Sequence, residues 1–150
     1  MRTFASLDEF VAAKGESLGF SEWHTITQEQ VNAFADATGD HQWIHVDLER
    51  AASGPFGGTI AHGYLTVSLL PVLSMEIFQI EGLTMGINYG LDRVRFPSPV
   101  LTGSSIRAEG TLTDVRQTHL GSLAHIRMRI EIEGQVKAAC VADTLSLFVA

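Results

Sequence analysis

From Ile60 to Phe78 the chain carries Leu65, Val67, Leu69, Leu70, Val72, Leu73, Met75, Ile77 and Phe78, which leave no clearly polar stripe at helical spacing. A helix that is apolar all round has to be enclosed. After Gly82 the period changes. Ala124, Ile126, Met128, Ile130 and Ile132 alternate with His125, Arg127, Arg129, Glu131 and Glu133, and Ile106, Ala108, Gly110 and Leu112 alternate with Arg107, Glu109, Thr111 and Thr113. Residues 84–96 add a further strand, and the run from Val136 to Val149 is apolar enough for a central one. An enclosed helix followed by a strand meander predicts the α+β class, a curved antiparallel β-sheet wrapped around a long central α-helix. With no internal repeat, linker or low-complexity segment in its 150 residues, the chain reads as a single domain, 1–150.

The N-terminal third is helical in pattern. Ser6-Leu7-Asp8-Glu9 is a capping-box sequence that opens a short surface helix, and Gly15 stops it. A first strand is expected over Trp23–Thr25. Thr27 and Gln30 form a second capping box leading into Val31, Phe34, Ala35 and Thr38 at helical spacing, with Gly39 as the end. Asp47 reads as the N-cap of a brief helix through Leu48, Ala51 and Ala52, before Gly54-Pro55. The segment Asp40 to Val46 is therefore predicted as loop, with Asp40 and His45 between two helices.

Composition narrows the classes. At 45% hydrophobic and 18% charged residues the chain is too apolar for disorder, and some of its apolar surface is expected in a subunit contact. The formal charge of −7, with Arg and Lys scattered, lacks the basic stripe of a nucleic-acid binder, although Arg93 and Arg95 form a local cluster that can meet an anionic small ligand. Cys140 is the only cysteine, so no intrachain disulfide or cysteine metal cluster is possible, and cytoplasm is the expected compartment. Residues 1–9 reach acidic side chains before any apolar run, unlike a signal peptide. The longest uncharged stretch, Thr59 to Met75, is short of a bilayer span, so no membrane is expected.

The segment Phe34-Ala35-Asp36-Ala37-Thr38-Gly39-Asp40-His41-Gln42-Trp43-Ile44-His45 closely resembles the hydratase signature of MaoC-like proteins, the (R)-specific enoyl-CoA hydratases, in which a helix ends at Gly-Asp and a His follows five residues after that Asp. The resemblance continues through Pro55-Phe56-Gly57-Gly58-Thr59-Ile60-Ala61-His62-Gly63, the family's entry into its central helix, and through Val94-Arg95-Phe96-Pro97-Ser98-Pro99-Val100, its next strand. His41-Gln42-Trp43, in place of the commoner x-Asn-Pro, looks more like the NodN-like branch of the family. The resemblance implies a hot-dog fold and a homodimer that pairs its sheets, with active sites near the interface. It also implies reversible hydration of a trans-2-enoyl-CoA to the (R)-3-hydroxyacyl-CoA by syn addition, with Asp40 and His45 catalytic, the Gly63 amide on the thioester oxygen, and no metal or redox cofactor. Acyl-CoA is the implied partner, its acyl chain in an apolar tunnel and its phosphates toward solvent, where Arg93 and Arg95 are the nearest basic residues.

The residues carry this chemistry on their own terms. Adding water to a conjugated thioester needs a base for the water, an acid for the α-carbon and a stabiliser for the enolate oxygen. Asp40 and His45, five residues apart on a loop, can converge on one water, and an imidazole pKa of about 6.5 makes both protonation states accessible. Gly63 offers a backbone N–H at a helix start with no side chain in the way. Plainer readings stand beside these: a helix C-cap at Gly39-Asp40, a satisfied partly buried His45, a helix-start glycine at 63. His62 fits a ligand contact or a structural or capping role. Asn88 and Tyr89 interrupt an apolar strand, as substrate contacts or as a polar pair near a sheet end. A metal trio of His41, His45 and Asp47 needs a helical segment to bring its two histidines to one side, so no metal site is assigned. Ser68 and Ser74 lack a nucleophile-elbow glycine pattern. Two rivals to hydration remain, a hot-dog acyl-CoA thioesterase and a non-catalytic acyl-CoA-binding module.

Overall fold

In the computed structural model, which describes residues 1–150, the alternating segments form one antiparallel sheet. Its centre is a meander of β6 (Ser105–Gln117), β7 (Ser122–Ile132) and β8 (Cys140–Val149). Strand β5 (Met85–Arg95) pairs with β8 and forms one edge. The short β2 (Ser17–Phe20) and β3 (His24–Thr25) pair side by side along β6 at the other. The alternation sorts the faces as expected. Ala124, Ile126, Met128, Ile130 and Ile132 of β7 are buried with Ile106, Ala108 and Leu112 of β6. The intervening charges pair across the outer face, Arg107 with Glu131 at 3.0 Å and Arg127 with Asp143 at 2.7 Å.

Against the inner face lies the apolar segment, with two departures from expectation. It is not one helix but two, α5 (Gly63–Ser68) and α6 (Leu70–Ile77), joined at Leu69. Pro71 explains the break, because without an N–H it cannot donate to the preceding turn, and the Leu69 N–H is shared between the carbonyls of Leu65 and Thr66. Nor does the single chain enclose it. Leu65, Leu70, Leu73 and Ile77 are buried, whereas Tyr64, Val72 and Met75 are 76%, 50% and 71% exposed. Beside them, β5 leaves Met85, Ile87, Tyr89 and Leu91 at the surface.

The remaining helices are α1 (Leu7–Ala12), α2 (Gln28–Thr38), α3 (Trp43–Val46) and α4 (Leu48–Ala52). The caps read from sequence are made: Ser6 accepts the Glu9 N–H, Thr27 that of Gln30 and Asp47 that of Arg50. Gly39 ends α2 with φ 81°, a left-handed conformation that favours glycine. The expected loop contains a helical turn, α3, closed by the His45 N–H on the Gln42 carbonyl and the Asp47 N–H on that of Trp43. The expected final strand begins only at Cys140, and Val136 is 92% exposed. The Cys140 thiol is fully buried, and that burial pushes its pKa up to about 11.

An unanticipated second sheet pairs β1 (Arg2–Phe4) in parallel with β4 (Phe78–Ile80). It seats Phe4 edge-on to Phe10 with centroids 5.2 Å apart, Phe10 stacked on Phe78 at 5.3 Å, and Phe148 edge-on to Phe10 at 5.5 Å. Phe10 is 0% exposed at the centre of this cluster. Phe10→Ala is therefore expected to lower unfolding stability by about 3–5 kcal/mol, read as a fall in the urea midpoint with unchanged slope. A loss under about 1 kcal/mol would mean that the N-terminal segment is not part of the cooperative core.

Candidate active site

The C-terminal end of α2 and the turn α3 bring the two signature residues to the start of α5. Asp40 follows the left-handed Gly39, so its side chain leaves the helix axis and is 55% exposed. One of its carboxylate oxygens accepts the Gln42 N–H at 3.3 Å. His45 is 6% exposed. Its Nδ1–H donates to the carbonyl of Ile60 at 2.6 Å, and the Ile60 N–H in turn donates to the carbonyl of Ile44 at 3.0 Å. That bond leaves Nε2 with the lone pair in the neutral ring. Burial, the largest influence, holds the His45 pKa below its ordinary 6.5 against the opposing pull of the Ile60 carbonyl.

His62 completes the cluster. Its ring stacks on that of His45 with centroids 3.8 Å apart and planes tilted by 23°, and also lies 4.9 Å from the Phe34 ring, tilted by 51°. It occupies the N-cap of α5 but makes no capping bond there. Instead its Nε2–H donates to the backbone carbonyl of Asp40 at 2.9 Å. At 3% exposed it is as buried as His45.

A polar network unmarked in the sequence supports this arrangement. The Gln28 amide donates to the His45 carbonyl at 2.7 Å, and Thr59 links Gln28 to Thr102 at 2.5 and 2.7 Å. Gln28 is simply the first residue of a helix and Thr59 follows two glycines, so neither pattern signalled a partner.

The other candidates separate. A Cβ on Gly63 would lie 3.0 Å from the Phe96 ring, so packing alone accounts for the glycine. Its amide, the first of α5, has no partner inside the helix. Phe96, Ile60 and Gly63 line one cavity of about 320 Å³. Two more, of about 300 and 380 Å³, run along α5 and α6 and share Pro71, Ser74, Asn88 and Ser146. Asn88 faces these cavities, whereas Tyr89 sits in the bulge beside it, 61% exposed, and lines neither. Arg93 is opposite Asp143 on the outer sheet face, and Arg95 is exposed one residue before Phe96.

The trio of His41, His45 and Asp47, to which no metal site is assigned, is split, because His41 bonds to Asp36 at 2.8 Å and Asp47 caps α4. Ligand atoms of Asp40, His45 and His62 do lie within 4.8 Å of one another. Stacked rings, however, direct their in-plane lone pairs along nearly parallel planes instead of toward one ion, and each already gives one nitrogen to a carbonyl. The arrangement suits proton transfer better than metal ligation.

The sequence matches the family model described as MaoC like domain over residues 9–133. It is 54% identical over 151 residues to 3-hydroxyacyl-thioester dehydratase Z of Mycobacterium tuberculosis, covering 100% of both chains. Against nodulation protein N of Rhizobium meliloti it is 46% identical over 145 residues, covering 95% of this chain and 90% of that one. Among solved structures, the (R)-hydratase from A. caviae involved in PHA biosynthesis is similar with TM-score 0.73 and 26% identity, over 89% of this chain and 95% of that one. An Archaeoglobus monoamine oxidase regulatory protein shares the fold with TM-score 0.77 at 19% identity, over 99% of this chain and 97% of that one. The architecture is thus the hot-dog fold.

The His45 environment has a pH signature. Its folded-state pKa is below the unfolded value, so as pH falls the unfolded chain takes the proton first. The stability that the neutral ring contributes is complete above about pH 6.5 and is lost as pH falls from there toward the lowered folded value. An imidazole NMR titration is expected to give a His45 midpoint below 6.5. A midpoint above that value would mean that the site stabilises imidazolium and would remove His45 as a resting base.

Proposed function

The chain belongs to the MaoC-like domain family, and from that premise we propose that it reversibly adds water to a trans-2-enoyl-CoA to give the (R)-3-hydroxyacyl-CoA, with Asp40 and His45 as the catalytic pair. The observation that carries this reading is the buried imidazole of His45, whose Nδ1–H is committed to Ile60 while its Nε2 is left as a proton acceptor beside a carboxylate. Asp40 orients the water and His45 Nε2 takes its proton as oxygen bonds to C3. The π electrons move to the thioester oxygen, and C2 takes a proton returned by the same pair, which gives syn addition. The Gly63 amide receives the enolate oxygen, a donor worth roughly 3 kcal/mol in the transition state.

The acyl chain extends from Gly63 into the cavities along α5 and α6, where Asn88 is a wall residue. Arg95, exposed at the rim, is the basic residue best placed for CoA phosphate. Arg93 lies across from Asp143 on the outer sheet face and is left out of this role. No helix is long and apolar enough to cross a membrane. The relatives named for a dehydratase and for an (R)-hydratase support hydro-lyase chemistry over thioester hydrolysis.

A homodimer is part of the reading. It is supported by the free edge of β5 and by the adjoining exposed apolar side chains, Tyr64, Val72 and Met75 on the helices and Leu91 on the strand.

Purified protein is expected to remove the enoyl-thioester absorbance of crotonyl-CoA or a longer enoyl-CoA without releasing free thiol. Thiol release would identify a thioesterase, and binding without either signal a non-catalytic module. Asp40→Asn is expected to lower kcat by about 10²–10⁴-fold while KM stays near the wild-type value, and normal turnover in that variant would remove Asp40 from the mechanism. Sedimentation is expected to show a two-chain particle that Val72→Glu dissociates. A monomeric wild type would refute the paired-sheet assembly.

A further inference from the structure

We propose that His62 is a positioning residue that fixes the separation of Asp40 and His45, an inference that rests on the hydration reading. Asp40 leaves α2 at a left-handed glycine; its carboxylate accepts one hydrogen bond, from the Gln42 N–H at 3.3 Å, and has His62 Nε2 4.0 Å from Oδ2. The bond that holds its backbone comes from across the fold, from His62 Nε2–H to the Asp40 carbonyl at 2.9 Å. The other member of the pair is held from the same segment, since Ile60 accepts the Nδ1–H of His45. That segment is itself fixed, with the Ala61 N–H donating to the Val100 carbonyl at 2.8 Å and Ile60 bridged to Leu101. Ile60 and His62, separated by one residue, therefore grip the two catalytic residues independently and set the distance between them. The His62 ring adds a second constraint by stacking on His45.

A purely structural ring would be better apolar. His62 Nδ1 is buried without a partner, a cost that phenylalanine would avoid beside Phe34 and His45. What phenylalanine cannot do is donate to the Asp40 carbonyl.

Two variants separate the roles. His62→Phe keeps a ring against His45 but has no donor, and His62→Gln keeps an N–H able to reach the carbonyl but has no ring. Misplacement of about 1 Å costs about 10²-fold, so His62→Phe is expected to lose about that factor in kcat, with KM and melting midpoint near wild type. His62→Gln is expected to recover at least about tenfold of it. Wild-type kcat in His62→Phe would overturn the proposal, as would equal losses in both variants that track their melting midpoints. A wild type inactive on every enoyl-CoA would refute the hydration reading instead. Independently of turnover, the His62 Nε2–H is expected as a slowly exchanging imidazole resonance, and its absence overturns the clamp whatever the enzyme does.

Discussion

The site depends on one extended tripeptide, Ile60-Ala61-His62, pinned between the helical N-terminal third and the strap that leads into β6. Its middle residue bonds outward to Val100, while the residues on either side reach back to His45 and Asp40. Hydrogen bonds of this kind act in a poorly solvated interior, where they are stronger than at the surface and where leaving one unmade is costly. The Ile60 carbonyl orients the His45 ring, and the His62 Nε2–H holds Asp40 through the Asp40 backbone carbonyl. The tripeptide also leads directly into α5, whose first residue is Gly63.

The sheet's contribution is to make this junction rigid. Its inner face is filled by alternating apolar residues of β6 and β7, and α6 seals it through Leu73 and Ile77. The aromatic cluster around Phe10 closes the far end and ties the N-terminus to the exit of α6. Its flank beside β5 stays open, where two of the cavities lie and where Met75, Met85, Ile87 and Leu91 are exposed.

Much of this was legible in the sequence because periodicity reports burial. The two-residue alternation of residues 124–132 and 106–112 located β7, β6 and their faces, and the caps at Ser6, Thr27 and Asp47 were read from residues whose side chains can do little else. Asp40 and His45 were legible from the five-residue signature. The carbonyls of Ile60 and Asp40 were not, since every residue carries the same backbone acceptor and only the fold selects which is used. The break at Leu69 hid behind uniform apolarity, because hydropathy does not register the N–H that Pro71 lacks. Strands β1 and β4, each of 3 residues, are too short to show a period. The enclosure expected of the apolar segment is met only in part by one chain, which leaves Tyr64, Val72 and Met75 exposed.

The buried thiol of Cys140, next in the chain to Ala139 of the Gly63 cavity, acquires a further meaning from the chemistry proposed there. A conjugated enoyl thioester is an electrophile, and the group in a protein most prone to conjugate addition is thiolate. With the lone cysteine fully buried and its pKa at about 11, almost no thiolate exists at neutral pH and none is within reach of solvent. The chain therefore presents no thiolate to a substrate of that kind.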